Sequence, residues 1–134
     1  MPVTALVVDD SAFSRQIIGR YMSDAGCTVV GEARNALQGL KLFRKLRPDV
    51  VTFDLMMPTV FDVDSKALLR EIKRERPEVA VVVISMVPFG KTQHDFLEHG
   101  VLAYVVKPLN DFSFEPVRRK LNQAFPELAG ANPH

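Results

Sequence analysis

Four short runs of branched and apolar residues, at 5–8, 50–53, 79–84 and 103–106, each give way to a polar residue at the C-terminal end. Runs of this length and composition predict strands buried on both faces of a sheet. Between them the apolar positions change period. Ile17, Ile18, Tyr21, Met22 and Ala25 recur at three- and four-residue spacing, which predicts a helix ending before Gly26. A fifth short run, 28–30, leads to Asn35 as a helix cap. Ala36, Leu40 and Phe43 then form the apolar face of a helix that stops before Pro48. Leu68, Leu69 and Ile72 mark a third helix closed by Pro77, and residues 95–99 form the core of a fourth, ended by Gly100. Val117, Leu121, Ala124 and Phe125 stripe the last helix, with Pro116 expected in its first turn, where a missing N–H costs least.

Strands alternating with helices from end to end predict an α/β fold with a parallel sheet covered on both sides. Right-handed crossovers leave few topologies, and a five-stranded, doubly wound (flavodoxin-like) sheet of order 2-1-3-4-5 with five helices fits the length. That order sets the first and third strands side by side. Residues 1–126 read as one domain, and 127–134, small and polar, as a flexible C-terminal tail.

Bulk properties narrow the function by exclusion. A net charge of +1 over 134 residues gives no electrostatic sign of nucleic acid or membrane. The cluster Arg118, Arg119, Lys120 spreads over different faces of a helix and reads as solvated or partner-facing surface. No apolar run approaches a membrane span, and the N-terminus does not read as a signal peptide. Cys27 is the only cysteine, so no internal disulfide is available; it reads as a buried filler in a chain expected in the cytoplasm. His94, His99 and His134 have no metal-ligand spacing.

The chemistry lies at the strand ends. Asp9 and Asp10 follow the first run, Asp54 the third, Ser85 the fourth and Lys107 the last. In a parallel sheet these C-terminal ends line one edge, where ligands bind. Two like charges about 4 Å apart repel by roughly 4 kcal/mol near a protein surface, so three carboxylates need cations. Lys107 supplies one charge, and a hard divalent ion suits the oxygen ligands. For Mg²⁺ the expected ligands are Asp10 and Asp54, with Asp9 binding directly or through water and a backbone carbonyl after Asp54, that of Met56, completing the set. A carboxylate can also attack phosphorus. Asp54 stands alone at its strand end and is the expected nucleophile, with Lys107 and the Ser85 hydroxyl balancing the transferred group.

These residues resemble the receiver domains of two-component response regulators, of which a stand-alone chemotaxis regulator is the small example. The resemblance rests on the acidic pair Asp9–Asp10, on Asp54 followed by Leu55-Met56-Met57-Pro58, on Ser85 and on Lys107-Pro108. It spans residues 3 to 125. It implies that Asp54 accepts a phosphoryl group from a sensor histidine kinase or phosphotransfer protein, with a Mg²⁺ requirement and slow self-dephosphorylation rather than enzymatic turnover. It implies that Ser85 and Tyr104 form the switch, and that output is protein contact with a downstream target through the fourth helix, last strand and last helix. Homodimer formation on phosphorylation is compatible with that face.

The chain departs from the family in places. The loop 59–64 is longer and lacks the usual glycine, Met86 stands where a small residue is usual, and residues 87–90 make an uncommon start to the fourth helix. Asp62 and Asp64 read as loop-solvating or helix-capping, and Asp10 or Ser11 alone as caps. Three other functions fit these residues less well. A contact module that takes no phosphate conflicts with the filled acidic and lysine positions. A Mg²⁺-dependent phosphatase of the Asp-x-Asp type conflicts with the adjacent acids and has no room for a cap. A flavodoxin-like carrier conflicts with the glycine-free loop 10–14.

Overall fold

The computed structural model describes residues 2–88 and 90–130; Phe89 and His134 lie outside them. The elements alternate: β1 (Thr4–Val8), α1 (Ala12–Asp24), β2 (Thr28–Ala33), α2 (Ala36–Leu46), β3 (Val50–Phe53), α3 (Ser65–Glu75), β4 (Ala80–Ser85), α4 (Lys91–Glu98), β5 (Ala103–Val106), α5 (Asp111–Ala124), then a 3-10 helix, Pro126–Gly130. The strands form one parallel sheet of order β2-β1-β3-β4-β5, as the alternation predicts. β1 lies between β2 and β3, pairing Val8 with Ala33 on one side and Phe53 on the other.

Successive strand residues point to opposite faces, and each face has its own core. Leu6, Val8, Val51, Phe53, Val81 and Val83 meet Leu40 and Phe43 of α2, Leu68 and Ile72 of α3 and Phe96 of α4. Val7, Val82, Ile84 and Val105 meet Ile18 and Met22 of α1 and Val117 and Leu121 of α5. α2 rides so close to β1 that a Cβ on Gly39 would stand 3.0 Å from the Val8 methyls. Polar side chains set most helix starts: Ser11, Asn35, Asp64 and Asn110 each accept a hydrogen bond from a backbone N–H in the first turn.

The structure corrects two expectations. β2 runs on to Ala33 and is a half-exposed edge strand, because Gly31 and Glu32 pair with Leu6 and Val7 despite interrupting the apolar run. Pro116 is not in the first turn of α5. A capping box between Asn110 and Ser113 starts the helix at Asp111, which places Pro116 in the second turn. Within the tail, Pro126–Gly130 form a 3-10 turn and Leu128 is buried against the α5 side of the sheet. Residues 131–134 lie outside the described part.

Candidate functional site

Asp9 follows β1 by one residue and is fully buried. Its Oδ1 accepts a hydrogen bond from the Ser11 N–H at 2.9 Å, and its Oδ2 accepts one from the Lys107 ammonium at 2.8 Å. Asp10 turns outward and is exposed. Asp54 follows β3 and is 5% exposed. Its Oδ1 accepts from the Met56 N–H at 2.8 Å and its Oδ2 from Lys107 at 2.7 Å. One carboxylate oxygen from each of Asp9, Asp10 and Asp54 lies within 4.8 Å of the others. The acids read from two separate strand ends therefore meet.

Lys107 reaches this cluster from the residue after β5 and also donates to the Ser14 hydroxyl at 3.2 Å. Its segment is held by the Lys107 N–H donating to the Ser85 carbonyl at 2.8 Å, and the Lys107–Pro108 peptide is cis. Burial pushes the Asp9 carboxyl above the usual carboxylate range, against the hydrogen bonds from Lys107 and Ser11. Burial alone would lower Lys107, but its bonds to Asp54 and Asp9 outweigh that and hold it above the usual lysine range. Three carboxylates and one ammonium leave two negative charges in a small space. A hard cation of charge two fits that remainder and the all-oxygen donor set; when bound, Mg²⁺ supplies charge neutralisation for a phosphoryl oxygen.

Ser85 ends β4, the strand beside β3, and is fully buried; its hydroxyl accepts from the Val87 N–H at 3.3 Å. The Tyr104 hydroxyl, on β5, donates to the Val87 carbonyl at 2.9 Å. Ser85 and Tyr104 thus hold the same residue, one at its N–H and the other at its carbonyl. That residue lies in the segment between β4 and α4.

Several contributors escaped sequence reading. Ser65 donates from α3 to the carbonyls of Asp54 (2.8 Å) and Leu55 (3.2 Å), fastening the loop behind the acid. Arg15 donates to the Asp9 carbonyl at 2.7 Å while paired with Glu32. Nothing in their spacing marks them, although Ser14 and Arg15 share the first turns of α1 that follow the acidic pair. The other singled-out residues lie elsewhere. Asp64 caps α3 and Asp62 sits at a hairpin tip. Cys27 is buried, its thiol pushed up to about 11. Arg118 and Arg119 both pair with Glu115, and Lys120 donates to the Leu102 carbonyl.

Residues 5–114 match the family described as the response regulator receiver domain. The chain belongs to that family. A protein-glutamate methylesterase/protein-glutamine glutaminase of Alkalilimnicola ehrlichii is 37% identical over 134 residues, covering 97% of this chain and 34% of the relative. Chemotaxis protein CheY of Thermotoga maritima is 31% identical, covering 84% of this chain and 88% of the relative. The chain therefore spans about a third of the methylesterase relatives and most of the CheY relative. Among solved structures, the response regulator domain of Thermotoga maritima CheB superposes with a TM-score of 0.72 at 26% identity, covering 98% and 96% of the two chains. A chain of the CheX–CheY–BeF₃–Mg complex of Borrelia burgdorferi shares the fold, with a TM-score of 0.80 at 24% identity over 93% and 90%. Aspartate phosphorylation and Mg²⁺ are typical of the family. Among the described residues, no helix is long and apolar enough to cross a membrane.

Proposed function

We propose that this chain is a phosphorylation-controlled switch whose phosphoacceptor is Asp54. The observation that carries the reading is the Lys107 ammonium gripping Asp54 and Asp9 at 2.7 and 2.8 Å, with Asp10 completing the acidic cluster. A carboxylate oxygen of Asp54 attacks the phosphorus of a phosphohistidine. The P–O bond forms as the P–N bond breaks, and the leaving imidazole takes up a proton. Lys107 offsets charge on the transferred oxygens and holds the Asp54 carboxylate in place. Asp10, Asp54 and the Met56 carbonyl would hold Mg²⁺, with Asp9 binding it directly or through water. Positioning and charge balance are most of what this chemistry needs.

The donor is a protein, a sensor histidine kinase or a phosphotransfer protein. Among the described residues, five of the seven exposed large hydrophobic side chains, Phe13, Met56, Phe61, Met86 and Phe112, stand on segments that follow strand ends around the acids. An apolar rim around a charged centre supports docking of another protein there. Met86 also screens the acyl phosphate from water and slows its loss.

The phosphoryl group adds negative charge and strong acceptors beside Ser85. Drawing that hydroxyl away from the Val87 N–H releases a bond that holds the segment before α4, and the Tyr104 bond to the same residue then resets. The face of α4, β5 and α5 carries the change to a downstream protein, or to a second copy of this chain. Moving such a two-state element from about 1% to about 99% active takes roughly 5.5 kcal/mol. The chain catalyses no turnover beyond slow loss of its own phosphate.

Intact mass after incubation with Mg²⁺ and acetyl phosphate tests this. Gain of one phosphoryl group in the wild type, lost without Mg²⁺ and in Asp54→Asn, is the expected result. A wild type that gains nothing at saturating Mg²⁺ would overturn the reading.

A further inference from the structure

α3 packs against α2, whereas α4 leans on β5, and the two neighbours leave a cleft of about 500 Å³ between them. That volume is in the range of small-ligand pockets. Leu69 and Phe96 form its buried floor. The floor is preformed, because the Phe96 ring is held edge-on by Phe53 at 6.4 Å between centroids. α3 contributes Lys66, Arg70 and Lys73, spaced four and three residues apart on one helix face; α4 contributes Asp95 and His99.

These cations differ in their commitments. Lys73 donates to the Val79 and Pro77 carbonyls at 2.8 and 3.3 Å and is tied to the end of the cleft. Arg44 and Arg74, on the α2 side of α3, share Glu71 and Glu75. Lys66 and Arg70 form no hydrogen bond or ion pair among the described residues, and both are exposed. The side of α3 facing α2 is neutralised, while the side facing the cleft keeps two free cations one turn apart above an apolar floor. Asp95 offers a single opposing charge.

We propose that this cleft is a binding site for a small organic anion with an apolar body. Its carboxylate, sulfonate or phosphate head would lie on Arg70 and Lys66, with Arg70 offering a planar two-toothed donor. Its apolar part would cover Leu69 and Phe96. The cleft shares no lining residue with the acidic cluster and repels cationic ligands where that cluster attracts them. The unphosphorylated chain is the form to test, so the outcome is independent of the phosphoacceptor reading.

The probe is anilinonaphthalene sulfonate, followed by its fluorescence. The wild type is expected to bind it saturably at one site. The double charge reversal Lys66→Glu with Arg70→Glu is expected to weaken binding at least about tenfold, as loss of charge-assisted bonds requires. Both residues are exposed, and an unchanged far-UV circular dichroism spectrum checks the fold. A second double reversal, Arg20→Glu with Lys41→Glu, changes net charge equally at exposed positions that do not line the cleft, and should leave affinity unchanged. Phenylnaphthylamine, the same aryl body without the anion, should not saturate. The proposal falls if it binds as tightly as the sulfonate, if the two double reversals act alike, or if the cleft reversal changes nothing.

Discussion

At the residue scale the account turns on Lys107, the one ammonium between two buried carboxylates. Removing one partner from a buried ion pair leaves the other charges uncompensated, typically at a cost of about 3 kcal/mol or more. Lys107→Met is therefore expected to lower the unfolding free energy from urea titration in metal-free buffer by an amount of that order, with Mg²⁺ restoring part of it. An unchanged unfolding free energy would mean that Asp9 and Asp54 do not depend on the lysine. Cys27 gives a pH test. Burial raises its thiol from 9.0 to about 11, so the unfolded thiol ionises first. Its contribution is whole below 9.0 and is lost as pH climbs towards about 11, a span worth roughly 3 kcal/mol. Stability curves from pH 8 upward should show this slope in the wild type and lack it in Cys27→Ala. The sequence already displayed Asp9, Asp10, Asp54, Ser85 and Lys107, because chemistry at strand ends is local in the chain. Ser65 was illegible, since its bond to the Asp54 carbonyl spans eleven positions and any small hydroxyl residue could have stood there.

Elements were legible where apolar period and a polar cap agreed. Asn35 and the buried face Ala36, Leu40, Phe43 gave α2 both signals. β2 was cut short because Gly31 and Glu32 break the apolar run, and only pairing with β1 keeps them extended. The start of α5 was misplaced for a comparable reason: the stripe from Val117 marks where burial is dense, but Asn110 begins the helix. Pro116 consequently sits inside α5, exposed, where it removes a bond to the Phe112 carbonyl. Pro116→Ala is expected to stabilise the chain by about 1–3 kcal/mol in chemical denaturation. A loss of stability would show that the ring itself is needed there. Asn110→Ala removes the capping box and should cost about 1 kcal/mol in the same assay. The longer loop after Pro58 folds on itself, with Val60 and Val63 bridged and Phe61 and Asp62 both at positive φ (48° and 62°). A turn of that hand usually carries Asn or Gly, so the sequence offered no signal for it.

For the whole molecule, the sheet order follows from right-handed crossovers, and the order alone brings the β1 and β3 acids side by side. That is why fold and site were legible together. Metal binding should register globally, because a ligand of the folded state alone stabilises it by mass action. Thermal midpoints are expected to rise with Mg²⁺ concentration in the wild type and to respond far less in Asp10→Asn, whose exposed carboxylate is the proposed ligand least involved in holding the fold. The central claim is chemical, and the most direct measurement locates the new bond. Borohydride reduces an acyl phosphate to an alcohol, converting the modified aspartate to homoserine. After treatment with acetyl phosphate and Mg²⁺, peptide mass mapping is expected to find homoserine at position 54 alone. Homoserine at Asp9 or Asp10, or none in a chain that has gained phosphate, would contradict the account.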